Sequence, residues 1–168
     1  MTRAKLAIFL TSVLIIGAIW SYETTKVTQE RIHTTSRPVS EGPPSVRMYD
    51  YLVKYSEQYD VPLQVALGIA RLETGYKGPF HWSYNPKQVS TAGACGAMQI
   101  MPKTATYIHG KKVTKEELLN DLELNVEISM KYMARLHKRY GRWDVALGYY
   151  NTGTSVVNGY AMRIMKNV

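Results

Sequence analysis

Cysteine, phenylalanine and, over one long stretch, acidic residues are scarce in this sequence. The single Cys95 cannot form an internal disulfide, and its small neighbours favour packing over reactivity. Only two Phe stand against thirteen Tyr, and tyrosine suits wet clefts or sugar rings better than a dry core. Asp and Glu are absent from 75–114, so no second carboxylate follows Glu73 in the nearby loops. The four His lack metal-ligand spacing, and we expect no metal and no cofactor.

The positive charge of the chain restricts its partners. A formal net charge of +8 favours an anionic partner, which could be a membrane surface, the anionic bacterial wall or a nucleic acid. No segment with a helical pattern carries a dense stripe of Lys and Arg. We therefore expect no nucleic-acid binding.

The N-terminal 22 residues have the pattern of a signal anchor. Arg3 and Lys5 precede an uncharged run over 6–22, which is at the short end of what a bilayer requires. Trp20 and Tyr22 stand where a signal peptidase needs small residues, so cleavage is not expected. The alternative is a buried helix of a soluble protein. The anchor interpretation places the rest of the chain outside the inner membrane, in the periplasm or cell-wall space.

A flexible linker is predicted over 23–44. Its few apolar residues follow neither helical nor alternating spacing, and it ends in a Gly-Pro-Pro sequence. Such a segment cannot bury enough apolar surface to offset the entropy lost on ordering. The folded domain is therefore predicted to span 45–168.

The pattern over 45–168 is helical, and no window alternates strongly enough to indicate a strand. We predict an all-α domain. The expected helices are one capped by Ser45, one from Pro62 that ends at Gly75, one after a capping box of Thr114 and Glu117, one over 122–140 that ends at Gly141, and shorter ones over 144–150 and 160–165.

Glu73 ends an apolar helical run, and helical spacing places it on the same side as Ala66 and Ala70. Burial beside apolar groups disfavours the charged form of a carboxyl group, which is how a Glu becomes a general acid. The alternative is an exposed Glu at a helix end. The segment 90–102 that follows is rich in Gly with neutral Ser, Thr and Gln, which suits a sugar bearing N-acetyl groups, although a turn-rich linker has the same composition.

Four short motifs carry a family resemblance. The sequences ETGY at 73–76, GACGAMQIMP at 93–102, NVEISMKYM at 125–133 and YYNTG at 149–153 occur in this order. Together they resemble the motifs of lytic transglycosylases with a soluble-lytic-transglycosylase catalytic domain. The resemblance covers nearly all of 45–168. It implies an all-α, lysozyme-like domain of the goose-type and transglycosylase kind.

The resemblance also implies roles for individual residues. Glu73 matches the catalytic acid and base, supported by Thr74 and Met98, and the hydroxyl of Tyr150 is expected to orient Glu73. Four features depart from the family pattern: Thr74 replaces Ser, Ala97 replaces Leu, Tyr149 replaces Ala, and the loop over 75–89 is longer than usual. The expected substrate-binding residues are Ser90, Gln99, Met101, Tyr132, Tyr150 and Asn151.

The implied reaction cleaves the bond between N-acetylmuramic acid and N-acetylglucosamine in peptidoglycan glycan strands and leaves a 1,6-anhydro end. Three alternatives remain open: a goose-type lysozyme, which needs an Asp to activate water; a module that binds peptidoglycan without cutting it; and a structural membrane-anchored bundle. The biological setting also stays open among secretion systems, pili, conjugation and bacteriophage entry or lysis. The expected location is the inner membrane, with a phage virion as the alternative.

Overall fold

The structure, a computed structural model, describes residues 41–168. The predicted anchor and all but the last few residues of the predicted linker lie outside this range. None of the helices within it is both long and apolar enough to cross a bilayer. In chain order these helices are α1 (Pro44–Gln58), α2 (Leu63–Thr74), α3 (Pro102–His109), α4 (Lys115–Asn120), α5 (Leu122–Tyr140), α6 (Trp143–Thr152) and α7 (Gly159–Met165).

The predicted all-α class is confirmed over residues 41–168. Extended pairing there is limited to two isolated bridges, Val89 with Cys95 and Cys95 with Ile100, both in the segment between α2 and α3. These bridges fold the Gly-rich segment over 90–102, which we call the glycine-rich loop, back on itself. The loop that carries several predicted site residues is therefore compact, although it contains no regular element.

Two helix starts are capped differently from the prediction. Ser45 does not cap α1: Pro43 is the N-cap residue, and the buried Ser45 hydroxyl donates to the carbonyl of Pro79 at 2.9 Å. Two consecutive prolines already fix the backbone where the helix begins, so no capping side chain is needed. Similarly, Pro62 is the N-cap of α2 and Leu63 is its first residue.

The capping box before α4 is confirmed. The amide of Glu117 donates to the Thr114 hydroxyl at 3.2 Å, and the amide of Thr114 donates to the Glu117 carboxylate at 2.7 Å. These two bonds satisfy orphan donors at the helix start and place α4 directly before the long helix α5. Gly141, with φ of 68°, ends α5 as predicted.

Helix α5 lies at the centre of the domain. It packs against α1 and α6, and also against α3 and α4. Its inward face meets the other helices in one main apolar core, while a smaller core lies under the glycine-rich loop. The main core includes Met48, Leu52, Ile69, Met130, Met133 and Leu147, and the smaller one includes Cys95, Ile100, Ile108, Leu118 and Ile128.

Helix α7 packs against α2 through a close approach at Gly68. A Cβ atom at this position would lie 2.7 Å from Cγ2 of Ile164, which is closer than real side chains approach each other. The absence of a side chain at Gly68 thus allows α7 to pack tightly along α2. This contact brings the start of α7, with Tyr160, next to the end of α2, with Glu73.

Asn125 fastens the glycine-rich loop to α5. This side chain is fully buried, and its Oδ1 accepts from the amide of Met98 at 2.9 Å. Its Nδ2 donates to the carbonyls of Cys95 at 2.9 Å and Leu118 at 3.2 Å. Gly96, with φ of 79°, lies directly against the Asn125 amide, where any side chain would overlap it. One amide group therefore satisfies three buried backbone groups and sets the position of the loop.

Candidate active site

Glu73 lies in the last turn of α2, which ends at Gly75 in the left-handed conformation. The side chain is half-buried and faces a cleft of about 430 Å³ between the glycine-rich loop, α5 and α6. It is the one carboxylate among the residues that line this cleft in the described part of the chain. The lining residues are Glu73, Ser90, Ala92, Ala94, Gln99, Ile100, Met101, Thr104, Tyr132, Tyr149, Tyr150, Asn151, Thr152 and Gly153.

Burial raises the pKa of Glu73 above the ordinary carboxyl value. A hydrogen bond opposes this effect, because the hydroxyl of Tyr160 donates to Oε1 of Glu73 at 2.7 Å and favours the charged carboxylate. Desolvation is the larger of the two effects on the pKa. The environment therefore favours a carboxyl group that holds its proton to higher pH than a surface Glu does.

The predicted hydrogen bond between the Tyr150 hydroxyl and Glu73 is not formed. It donates to the carbonyl of Met98 at 2.7 Å, and the group that contacts Glu73 is Tyr160. Burial and the nearby negative charge of Glu73 raise the pKa of Tyr150 far above the ordinary tyrosine value, so this phenol stays protonated as a donor. Tyr150 thus lines the cleft and ties α6 to the glycine-rich loop, while Tyr160 positions the carboxylate.

Replacing Tyr160 by Phe tests this assignment. The loss of the hydrogen bond should raise the pKa of Glu73 further, because the charged carboxylate loses a donor. We expect the alkaline limb of the pH profile of kcat to move to higher pH and kcat to fall roughly tenfold, since Glu73 is less well positioned. The activity that the family resemblance implies, release of muropeptides from sacculi, measures both effects when it is followed across pH.

A matched control for Tyr160→Phe is Tyr59→Phe. Tyr59 donates a similar hydrogen bond of 2.8 Å to Glu127, but it lies outside the cleft. Tyr59→Phe should not shift the pH profile of kcat. A Tyr160→Phe profile that coincides with wild type would show that Tyr160 does not act on Glu73.

Gln99 and Ser90 present neutral polar atoms to the cleft. The side-chain amide of Gln99 donates to the carbonyls of Gln88 at 3.1 Å and Gly96 at 2.9 Å, which leaves its amide oxygen as an acceptor for a ligand. Gln99 also has φ of 48°, an unusual value for a non-glycine residue and one that clusters at functional sites. The Ser90 hydroxyl accepts from the amide of Ala94 at 3.0 Å and keeps its proton for donation.

The other predicted substrate-binding residues also lie on the cleft. Met101 is 40% exposed at its edge, and the rings of Tyr132 and Tyr150 lie 5.6 Å apart along one wall. Burial raises the pKa of Tyr132 to about 12. The side-chain oxygen of Asn151 accepts from Asn158 at 3.2 Å, which leaves the Asn151 amide group as a donor.

Thr74 and Met98 do not line the cleft. Thr74 is buried beneath it, where its hydroxyl donates to the carbonyl of Ala97 at 2.8 Å and lies 2.9 Å from the hydroxyl of Tyr84. Met98 is fully buried and offers only its backbone to Tyr150 and Asn125. Their place in the structure is consistent with the supporting role expected of them.

Two contributors to the site do not follow from the sequence pattern. That pattern predicts Tyr160 only as the start of the last helix, and Tyr149 only as a departure from the family motif. Asn158, which caps α7 by accepting from the amide of Ala161 at 3.0 Å, is the local signal for the helix that carries Tyr160. No sequence signal links Tyr160 to Glu73, because their contact depends on how α7 packs against α2.

None of the remaining acidic residues of the described chain lines the cleft. Asp144 pairs with Arg142 at 2.6 Å, and Asp121 caps α5 by accepting from the amide of Leu124 at 2.9 Å. Neither lines the cleft. Within residues 41–168, no three His, Cys, Asp or Glu side chains are grouped to hold a metal ion. The site offers one titratable carboxyl group surrounded by neutral donors and acceptors.

Comparisons with known proteins find similar sequences and similar folds. The soluble lytic murein transglycosylases of Escherichia coli (strain K12) and Salmonella typhimurium are each 32% identical over 111 residues, which cover 62% of this chain. The chain spans only 16% of the length of these relatives. The crystal structure of the 70-kDa soluble lytic transglycosylase from Escherichia coli matches with a TM-score of 0.53 and 28% identity, over 71% of this chain and 19% of the other.

A second structure, a complex of the 70-kDa soluble lytic transglycosylase with bulgecin A, matches with a TM-score of 0.54 and 27% identity, over 74% of this chain and 20% of the other. The family model for the transglycosylase SLT domain matches residues 50–165, which is most of the chain. The motifs, the helical fold and these matches agree, and the chain belongs to the transglycosylase SLT domain family.

Proposed function

We propose that this chain is a peptidoglycan lytic transglycosylase in which Glu73 is the only catalytic carboxylate. The observation that carries the proposal is the isolation of Glu73 in the cleft: its pKa is raised by burial, and no other acid lines the cavity in residues 41–168. A single carboxyl group can act as an acid and then as a base, provided that the substrate supplies the other reacting groups.

In the first step, protonated Glu73 donates its proton to the oxygen of the bond between N-acetylmuramic acid and N-acetylglucosamine. The 2-acetamido group of the muramyl sugar stabilises the resulting cation, so no nucleophilic carboxylate is required. Glu73 is then a carboxylate, held in place by the Tyr160 hydroxyl at 2.7 Å. It removes the proton from the C6 hydroxyl of the same sugar, whose oxygen closes onto C1 to form the 1,6-anhydro product.

The neutral groups of the cleft fit this substrate. Uncharged N-acetyl sugars require hydrogen-bond donors and acceptors without net charge, and Ser90, Gln99 and Asn151 provide them. Tyr132, Tyr149 and Tyr150 supply flat apolar faces against which sugar rings pack.

The alternative is a goose-type lysozyme that hydrolyses the same bond. Hydrolysis by inversion places a second carboxylate across the bond to activate water. The sequence offers Asp144 and the acids at the helix starts after Lys115 for this role, but none of them lines the cleft, and Asp144 forms an ion pair with Arg142. This favours the transglycosylase over the hydrolase, while a non-catalytic binding module would have no need of a buried Glu.

The products decide between these activities. We expect the full-length protein to release from purified sacculi muropeptides that are one water lighter than lysozyme products and whose muramyl ends resist borohydride reduction. Mass spectrometry before and after borohydride treatment measures this difference. Hydrated, reducible ends alone would favour the lysozyme, and no release at all would favour the binding module.

We also propose that the N-terminal segment anchors the domain to the inner membrane, with the cleft exposed to the periplasm or cell-wall space. The uncharged run over 6–22 and the preceding basic residues support this. Partners in a secretion system, pilus, conjugation machinery or phage particle fit an enzyme that opens the wall locally.

A further inference from the structure

A second cavity of about 520 Å³ adjoins the catalytic cleft. Thr104, Tyr132 and Tyr149 line both cavities, so the two form neighbouring parts of one surface. The additional walls come from α3 and from the C-terminal half of α5. We call this cavity the basic groove; its further lining residues are Lys103, Tyr107, Ile108, Arg135, Leu136 and Arg139.

The basic groove carries three cations and no acid. Lys103, Arg135 and Arg139 line it, and all three side chains are exposed. The ion pairs found within residues 41–168 join Lys54 to Glu123 and Arg142 to Asp144, so none of the three cations is neutralised by them. The groove thus has an uncompensated positive charge beside a cleft whose own lining is almost neutral.

The guanidinium groups of Arg135 and Arg139 form cation–π contacts with tyrosine rings. The Cζ atom of Arg135 lies 6.0 Å from the ring centroid of Tyr107, and that of Arg139 lies 6.0 Å from Tyr149 and 5.3 Å from Tyr140. Contacts of this kind restrain a guanidinium group and leave its N–H edge able to bind an anion. Restraint before binding reduces the entropy lost when the ligand binds.

Tyr149 forms part of the wall between the two cavities and also contacts Arg139. Tyr149 is one of the positions at which the chain departs from the family pattern, where Ala is usual. An alanine could not provide the ring over which Arg139 lies. The groove is therefore in part a property of this chain.

We infer that the basic groove binds carboxylates of the peptide stem of the muramyl residue held in the cleft. The inference rests on the proposed function for the identity of the glycan. The stem is covalently attached to the sugar, carries free carboxylates and must leave the cleft along one of its edges. Arginine binds carboxylates through paired N–H donors, and the groove offers two arginines and a lysine next to the cleft. Phosphates of wall polymers share this chemistry.

The experiment compares two ligands in the full-length protein with Glu73→Gln, which prevents turnover. One is a purified disaccharide-tetrapeptide muropeptide, and the other is the same molecule with its carboxylates converted to amides. We expect the anionic form to bind about tenfold more tightly by calorimetry, and Arg135→Gln with Arg139→Gln to remove this difference. Arg135→Lys with Arg139→Lys, which keeps the charge, should retain part of it.

The matched control is Lys111→Gln with Lys138→Gln, which removes the same charge from exposed positions outside both cavities. It should preserve the difference between the two ligands. Equal binding of both ligands by the protein with intact arginines would overturn the inference. The inference would also be overturned if inorganic phosphate or glycerol-phosphate polymer competed with the anionic muropeptide and the free stem peptide did not. That result would assign the groove to phosphate.

These results are separable from the proposed function. Binding is measured without catalysis, so a protein that yields no anhydro products could still show the carboxylate-dependent difference. Conversely, anhydro products together with equal binding of the two ligands would support the proposed function and exclude the basic groove as a binding site for the stem.

Discussion

Glu73→Gln is expected to lower the release of soluble muropeptides from sacculi by about a thousandfold, which is within the range of general acid-base catalysis. Glutamine keeps the shape of the side chain and can still accept the Tyr160 hydrogen bond, but it has no proton to transfer. Binding to sacculi should persist, because the neutral groups of the cleft are unchanged. Release and sedimentation with sacculi, measured on the same samples, separate the two effects.

The same substitution should stabilise the fold near neutral pH. Burial raises the pKa of Glu73 in the folded state above its value in the unfolded chain. The favourable contribution of such a group is complete below the unfolded pKa and is lost as pH rises through the folded pKa. We therefore expect Tm of Glu73→Gln to exceed that of wild type at about pH 8 and to approach it at about pH 4.

Glu57→Gln is the matched control for both measurements. Glu57 is exposed near the end of α1 and lies outside the cleft, so the same chemical change should alter neither release nor the pH dependence of Tm. Undiminished release by Glu73→Gln would exclude Glu73 as the acid, whatever the products are. Tm curves that run parallel for wild type and Glu73→Gln would show that the carboxyl group is not desolvated.

Most of the helices could be predicted because their signals are local. The capping box at Thr114 and the glycines that end α2 and α5 act on neighbouring residues, so sequence spacing contains the information. The prediction that Ser45 caps α1 is wrong. Serine is a good capping residue, but Pro43 and Pro44 already set the start of the helix. Its hydroxyl instead bonds to Pro79, 34 residues away.

The partner of Glu73 could not be predicted because it depends on packing. Tyr150 and Tyr160 are both tyrosines near the end of the chain, and only the geometry decides which one reaches the carboxylate. The close approach of α7 to α2 at Gly68 selects Tyr160. Tyr150 instead meets the carbonyl of Met98, whose position is set by Asn125 on α5.

Asn125→Leu should destabilise the domain strongly. Leucine has similar volume but leaves the buried amide of Met98 and the buried carbonyl of Leu118 without the Asn125 side chain, and the carbonyl of Cys95 keeps only its bond from the amide of Ile100. Each unsatisfied buried group costs about 1–3 kcal/mol, so we expect a loss of about 3–5 kcal/mol in the free energy of unfolding. Urea denaturation followed by far-UV circular dichroism measures it.

Activity should fall together with stability in Asn125→Leu, because the loop that the amide fastens also carries Gln99 into the cleft. Asn120→Leu is the comparison: that side chain donates to the carbonyl of Glu116 at 2.9 Å and accepts from Lys87 at 2.8 Å, but both bonds are exposed to water. Water can replace them, so this variant should lose less than about 1 kcal/mol. If the two variants lost similar free energy, or if Asn125→Leu kept full activity, burial of the amide would not be what holds the loop in its active position.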